Sequence, residues 1–372
     1  MLRSLRLLAL ALVFLLAPAA QAGELKVYFF DIGQGDSSLI VSPTGKTVLI
    51  DSGPPDDAAK LKQRLSELLT APIDLVILTH PHLDHLGGME QALSVRGAQT
   101  FMDSGFNHPS PAYSSLLRYL ESHNIKVVNA TQGRNIDIGG GATLALLGPP
   151  SPFFNGTRSD PNANSVVARL TFGSEHVLFT GDAEEETEQM LIRGGDIQSD
   201  VLKVPHHGSR HSSTPDFLAA VKPRFAVISV GAGNDYGHPT RAALDRLEGV
   251  GAKIFRTDLD GEVRLVTDGK NLEVYPAKDA PTASAASAPE PAPVEPKKPH
   301  QPKGKVIEVK KHGGDKVVAS VDGGFVASKN SKVFHKASCG GAEHIKAENK
   351  VNFATRKQAL ASGREPAKDC NP

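Results

Sequence analysis

Short apolar runs that end on glycine, aspartate or histidine recur along the chain as far as Tyr275. Leu25-Lys26-Val27-Tyr28-Phe29-Phe30 leads into Asp31-Ile32-Gly33-Gln34-Gly35-Asp36-Ser37, which reads as strand, glycine turn, strand. Ser38-Leu39-Ile40-Val41 and Thr47-Val48-Leu49-Ile50-Asp51 complete a meander around the turn Pro43-Thr44-Gly45. From Asp56 to Leu69, Ala and Leu recur at helical spacing, with Asp near the start. Asp74-Leu75-Val76-Ile77-Leu78 reads as a buried strand. Residues 98–148 alternate short strands with a helix around Tyr113 to Ser122. Val166 to Thr171, His176 to Phe179 and Val201 to Val204 read as further strands, and Ala183 to Arg193 as an acidic helix. Ser212-Ser213-Thr214 reads as a helix cap.

The two ends depart from this pattern. Arg3 and Arg6 precede the apolar run Leu7 to Leu16, and Ala20-Gln21-Ala22 fits a small-x-small cleavage site. Residues 1–22 are therefore expected to be a signal peptide too short for a comfortable membrane span, leaving a secreted or periplasmic bacterial protein that starts at Gly23. No Cys stands at the cleavage point, which argues against a lipid anchor. The repetitive pattern stops at about residue 276. Residues 277–303 are rich in Ala, Pro, Ser and Lys, the composition of an extended spacer. Residues 304–372 resume as a second, small module. At 372 residues the chain exceeds one ordinary domain, and 41 basic against 41 acidic residues give no bulk attraction to a polyanion. Two cysteines in the whole chain exclude a disulfide-dense fold.

The densest chemistry follows the strand at Asp74–Leu78. Thr79-His80-Pro81-His82-Leu83-Asp84-His85-Leu86-Gly87-Gly88 holds three histidines and a carboxylate within six residues. Imidazoles and carboxylates hold zinc, manganese or iron at reactive sites, and a loop at a strand end can aim several at one point. This His-x-His-x-Asp-His pattern resembles the metallo-β-lactamase superfamily of metal-dependent hydrolases. The resemblance implies an α/β fold, a four-layer αββα sandwich, with metals at the sheet edge. It implies that His80 and His82 hold one divalent ion and that Asp84 and His85 hold a second, either ion being zinc or manganese. The blocks Asp31-Ile32-Gly33-Gln34-Gly35-Asp36, Ile50-Asp51-Ser52-Gly53, Lys203-Val204-Pro205-His206-His207-Gly208-Ser209 and Tyr236-Gly237-His238-Pro239-Thr240 resemble one branch of that superfamily, the one containing the DNA-uptake protein ComEC.

Carried over residue by residue, Asp182 at the end of its strand is the expected bridge between the ions. One of His206 and His207 completes the second ion, with His207 favoured, and the other donates a proton or binds a phosphate oxygen. His238 is either a site residue or a helix-entry residue whose following Pro239 sets the first turn. Asp36 and Asp51 are either groups that orient ligand imidazoles or ordinary turn carboxylates. Many superfamily members carry a third His for the first ion where this chain has Asn164, an amide that ligates zinc poorly, so water is expected to complete that ion. His108 and His123 lie outside any ligand spacing and read as surface residues.

The tail holds His335, Cys339, Ala367 and Cys370 where the zinc-binding module of the Ada DNA-alkylation repair protein carries four cysteines. That resemblance implies either a zinc site reduced to three donors or a Cys339–Cys370 disulfide, the latter favoured in an oxidising compartment. Taken together, the resemblances imply an exported hydrolase that uses two divalent ions, with Asp84, His206 and His238 at the chemistry. DNA or another phosphodiester is the expected substrate. The alternatives are a choline-phosphate ester, a β-lactam, or binding of metal or DNA without catalysis.

Overall fold

The computed structural model describes residues 23–278 and, in the tail, 325–329, 331–336, 342, 345–346, 349–353 and 356–367. The expected leader, the spacer from residue 279 onward, and both Cys339 and Cys370 lie outside the described residues. The chain divides into two units, Met1–Ala286 and Ser287–Pro372.

Alternation along the strands decides the layering of the first unit. The strands are β1 (Leu25–Phe29), β2 (Ser38–Val41), β3 (Thr47–Ile50), β4 (Ile73–Ile77), β5 (Ala98–Asp103) and β6 (Lys126–Asn129). They continue with β7 (Asn135–Gly139), β8 (Ala142–Leu146), β9 (Ala168–Phe172), β10 (Glu175–Phe179), β11 (Val201–Lys203), β12 (Phe225–Ile228) and β13 (Lys253–Arg256). The last two are β14 (Val263–Thr267) and β15 (Leu272–Pro276). One sheet runs β15-β14-β1-β2-β3-β4-β5-β6 and the other β13-β12-β11-β10-β9-β8-β7.

Side chains two apart share a face. Leu25, Val27 and Phe29 of β1, Leu75 and Ile77 of β4, and Val177 and Phe179 of β10 meet in one buried cluster between the sheets. The intervening Tyr28 and Val76, with Phe30 just beyond β1, face outward onto Leu61, Leu65, Met89, Leu93, Leu116 and Leu120 of helices Ala58–Leu68, Met89–Arg96 and Pro111–Ser122. On the other side Leu178 and Leu202 face Leu191, Phe217, Leu218 and Leu247 of helices Glu185–Gly194, Pro215–Val221 and Arg241–Gly249. The result is the four-layer αββα sandwich expected from the sequence.

One helix start differs from expectation. Thr240 caps helix Arg241–Gly249, its hydroxyl accepting from Ala243 N at 3.3 Å, so Pro239 lies ahead of the cap and does not set the first turn. Its ring packs instead on Gly208, where an added Cβ would come within 2.6 Å of Pro239 Cβ.

Strand direction gathers the polar loops at one edge. β3 pairs parallel with β4, and β10, β11 and β12 run parallel to one another. The loops leaving β3, β4, β10, β11 and β12 carry Asp51, the histidine-rich segment, Asp182, His206-His207 and Ser229 to His238. Backbone bonds knit these loops together: Val166 N donates to Thr79 O at 2.9 Å, Asp36 N to Asp84 O at 3.1 Å, and Ser52 N to His85 O at 2.7 Å. Gly35 permits a close approach, because a Cβ there would sit 2.3 Å from Asp84 O. Behind this edge, Lys203 Nζ lies 2.8 Å from Asp36 Oδ2, both side chains almost fully buried.

In the tail, β16 (Phe325–Ser328), β17 (Val333–Lys336), β18 (Lys350–Phe353) and β19 (Glu365–Pro366) form a sheet in the order β18-β16-β17-β19. Ala327, Phe334 and Ala359 of helix Arg356–Ala361 are buried together. His335 lies on β17 opposite Val326, and Ala367 is buried. Among the described residues no helix is long and apolar enough to cross a membrane.

Two stability predictions follow from this packing. The Phe29 and Phe179 rings stack between the sheets, 6.0 Å apart. Phe179→Ala should therefore cost about 3–5 kcal/mol in urea unfolding, as for buried aromatic truncations generally. Lys203→Met should cost a similar amount, about 3–5 kcal/mol, by leaving the Asp36 carboxylate buried without its cation. Adding Asp36→Asn to Lys203→Met should recover part of that loss; a strictly additive double mutant would show that the pair is not coupled.

Candidate metal centre

Asp182 sits at the middle of the loop edge. Strand β10 delivers it through Gly181, whose φ of 51° is one that glycine adopts readily and whose missing Cβ would otherwise lie 2.8 Å from Thr79 Cβ. The carboxylate is 2 % exposed and its two oxygens face different partners. Oδ1 lies 3.3 Å from His85 Nε2 and 3.7 Å from His207 Nε2. Oδ2 lies 3.7 Å from His80 Nε2 and 3.8 Å from His206 Nε2. His82 Nδ1 stands 3.0 Å from His80 Nε2, and Asp84 Oδ2 stands 3.3 Å from His207 Nε2. Ligand-type atoms of Asp84, His85, Asp182 and His207 thus fall within 4.8 Å of one another.

The imidazoles are held from behind. Asp51 Oδ2 lies 2.8 Å from His85 Nδ1, while Asp51 accepts from Thr79 N and Thr79 Oγ1, each at 2.7 Å. His207 Nδ1 lies 2.9 Å from the Ser229 carbonyl, to which it donates, and 3.4 Å from Asp36 Oδ1. Both histidine rings therefore turn Nε2 toward Asp182. Those Nε2 atoms and Asp182 Oδ1 are buried without hydrogen-bond partners. Buried polar atoms of this kind are rarely left unmatched, and donors aimed at one point suit a divalent cation, so the residues fit the metal that the fold implies.

Electrostatics divides the cluster. Burial and the neighbouring His85 and His82 hold His80 well below the ordinary histidine range, and burial also lowers His82. Burial opposes charge on His85 too, but Asp182, Asp51 and Asp84 more than reverse it and raise His85 well above that range. Burial likewise opposes charge on His207, yet Asp182 and Asp36 push it up to about 10. Burial would raise Asp182, but His85, His206 and His207 together drive it well below the usual carboxylate range. The pocket is thus a buried region of negative potential lined on one side by neutral imidazoles, the charge pattern that favours bound cations.

The backbone at this edge is strained. Asp51, His206 and His207 have φ of 57°, 51° and 53°, in the left-handed region that costs non-glycine residues roughly 1–2 kcal/mol each. Such residues cluster where a site needs side chains aimed in directions that ordinary turns do not supply.

All the metal donors expected in the first unit come together here: His80, His82, Asp84, His85, Asp182 and His207, with His206 beside them. His206 and His207 diverge, one toward each oxygen of Asp182. His238 lies at the mouth, its ring 5.6 Å from His206 and 6.5 Å from His207, and burial with those two neighbours lowers it to about 4. Asn164 does not reach the cluster's imidazoles. Its amide accepts from Phe154 N at 2.9 Å and donates to Phe154 O and Asp160 O, both at 2.8 Å, so it fastens the 154–160 loop.

Four participants escaped the sequence reading. Thr79 and Lys203 support Asp51 and Asp36 from below. Glu184 is buried 3.3 Å from His206 Nδ1. His108, expected at the surface, is half-buried with its ring 5.8 Å from His82. Glu184 carried a sequence signal as an acid two residues beyond the expected bridge, and Thr79 and Lys203 open motif blocks, but Asp51, Asp36 and His82, which Thr79, Lys203 and His108 meet, lie far from them in sequence. His123 does stay outside, stacked on Tyr119 at 3.9 Å.

Comparison with known proteins gives the chain a family. The Metallo-beta-lactamase superfamily profile matches residues 30–232. The chain is 29 % identical over 288 residues to ComE operon protein 3 of Bacillus subtilis, covering 72 % of this chain and 36 % of that protein. It is 28 % identical over 251 residues to Competence protein ComA of Neisseria gonorrhoeae, covering 66 % of this chain and 33 % of that one. The chain therefore spans about a third of the length of these curated relatives. Among solved structures, the metallo-beta-lactamase fold protein YhfI of Bacillus subtilis aligns with a TM-score of 0.41 at 15 % identity, over 62 % of this chain and 95 % of that one. With the superfamily profile matching more than half its length and a buried His/Asp cluster suited to two metal ions, the chain belongs to the metallo-beta-lactamase superfamily and is related to competence proteins.

Proposed function

We propose that the protein is a metal-dependent phosphodiesterase that acts on DNA at the cell envelope or outside the cell. The observation that carries this reading is the convergence of imidazole and carboxylate atoms on both oxygens of Asp182. His80, His82 and Asp182 would hold one divalent ion, zinc or manganese; Asp84, His85, Asp182 and His207 would hold another. When bound, such ions supply a nucleophile from water at neutral pH and offset charge developing on the reacting group.

The chain's own residues do the positioning. Asp51 and the Ser229 carbonyl engage the Nδ1 atoms of His85 and His207, which keeps each Nε2 lone pair aimed inward. Asp36, held by Lys203, backs His207 from a second side. His238 stands at the mouth, where a ring nitrogen can hydrogen-bond a phosphate oxygen or the leaving group. Next to it the Tyr236 ring is 58 % exposed and stacks near His238, centroids 5.9 Å apart. An aromatic face beside a reactive centre suits an unpaired base, which favours single-stranded DNA. The relatives named as competence proteins support DNA as the substrate class. The sequence pattern of residues 1–22 supports export.

Purified full-length protein loaded with manganese or zinc should cleave a model phosphodiester and single-stranded DNA, and should leave β-lactams and choline-phosphate esters intact. Asp182→Ala should lower turnover more than about 100-fold and reduce bound metal, since even groups that merely support a ligand are worth 10–100-fold. Circular dichroism should show the variant folded. Cleavage of β-lactams or carboxylic esters without any phosphodiester activity would overturn the substrate class. Wild-type turnover in a folded Asp182→Ala protein would overturn the metal reading.

A further inference from the structure

The position that in many superfamily members supplies a third histidine to the first ion is Asn164, and its amide is committed to the loop backbone. The first ion is thereby left with His80, His82 and Asp182. A different imidazole faces the same oxygen of Asp182. His206 Nε2 lies 3.8 Å from Asp182 Oδ2, almost the distance at which His80 Nε2 lies from it, 3.7 Å. Bonds of about 2.0–2.2 Å in a tetrahedral arrangement put neighbouring donor atoms roughly 3.3–3.6 Å apart. The observed spacings are close to that.

His206 is also set up from behind as metal-bound histidines usually are. Glu184, 2 % exposed, has Oε1 3.3 Å from His206 Nδ1. Its other oxygen lies 3.2 Å from Arg158 Nε. Arg158 belongs to the 154–160 loop that Asn164 fastens. The buried carboxylate thus has a cation behind it and an imidazole before it. His206 Nδ1 is buried without a hydrogen-bond partner and faces this carboxylate across 3.3 Å, while Nε2 turns to Asp182 Oδ2, the placement by which a carboxylate behind the ring orients a metal-bound histidine. The left-handed backbone at His206, φ 51° and ψ 44°, is what turns this ring away from the direction taken by its neighbour His207.

We propose that His206, oriented by Glu184 and Arg158, is the third imidazole of the first metal ion and replaces the histidine missing at Asn164. Asn164 itself acts indirectly, by anchoring the loop that carries Arg158. The proposal rests on the two-ion reading of the centre and deepens it: the first ion takes three imidazoles and the shared carboxylate, so its affinity is set by three loops, those leaving β4, β10 and β11. His206 is thereby a ligand and not a free acid or base.

The test counts ions and needs no substrate. Full-length wild type and His206→Asn are compared by equilibrium dialysis against zinc and by the visible spectrum of the cobalt-loaded protein. Asn tolerates the left-handed backbone, so folding should be retained. Wild type should hold two ions. His206→Asn should hold one tightly and the other at least about 100-fold more weakly, with a changed cobalt spectrum. Glu184→Gln, which leaves the ligand in place, should weaken the same ion about 10-fold. Two ions held with wild-type affinity and an unchanged cobalt spectrum in His206→Asn would overturn the assignment. Unchanged affinity in Glu184→Gln would do the same for the orienting chain, even if His206→Asn failed to fold. Failure of His206 in this test would leave the phosphodiester reading intact, and failure to cleave DNA would leave the ion count unaffected.

Discussion

A single buried carboxylate governs this structure. Asp182 sits at the edge of the two stacked sheets, almost without contact with solvent. An ionised carboxylate in such a place is unfavourable by several kcal/mol unless positive or hydrogen-bonding groups surround it. Those groups come from both sheets: His80 and His85 follow β4, and His206 and His207 follow β11. The sandwich must therefore close in one register, with the two loop clusters level, or the charge is left uncompensated. Backbone bonds across the edge, such as Val166 N to Thr79 O, lock that register next to the site.

Support for the cluster is built in depth. Each imidazole that faces Asp182 Oδ1 is held at its other nitrogen, His85 by Asp51 and His207 by the Ser229 carbonyl. Asp51 is fixed by Thr79, and Asp36 by Lys203. A similar layer stands elsewhere in the wall, where buried Glu188 accepts from Thr214 N at 2.9 Å and also from Ser213 N, at the start of helix Pro215–Val221. The left-handed backbone at Asp51, His206 and His207 is stored strain that this network holds in place. Such a network holds each imidazole at the nitrogen that faces away from Asp182.

The relationship to competence proteins concerns a portion of those larger chains, since the alignment spans about a third of their length. In this chain the Arg158–Glu184 pair stands beside the metal centre. A first ion completed by His206 would tie the loop leaving β11 to those leaving β4 and β10, with Arg158 of the 154–160 loop behind Glu184.

That these imidazoles and carboxylates gather at one edge was legible in the sequence, because each follows an apolar run that reads as a strand. His80, His82, Asp84, His85, Asp182 and the pair His206-His207 could be picked out in this way, and so could the strands and most helices that carry them. Direction was not legible. Whether His206 or His207 faces a given oxygen depends on two consecutive left-handed residues, and a local pattern of hydrophobic and polar positions does not encode φ. Partnership across sequence was not legible either. Lys203 reads as one charged residue at a strand end, and Glu184 as one acid among several; only stacking of the two sheets sets Lys203 against Asp36, and only the closing of the 154–160 loop sets Arg158 against Glu184. For the same reason His108 looked like surface and Asn164 like a site residue. Periodicity along a strand fixes which face a side chain takes, and that is enough to place donors at the sheet edge. Which atom meets which is decided by packing between segments far apart in the chain, where the cost of burying Asp182, Asp36 and Glu184 without partners selects one arrangement.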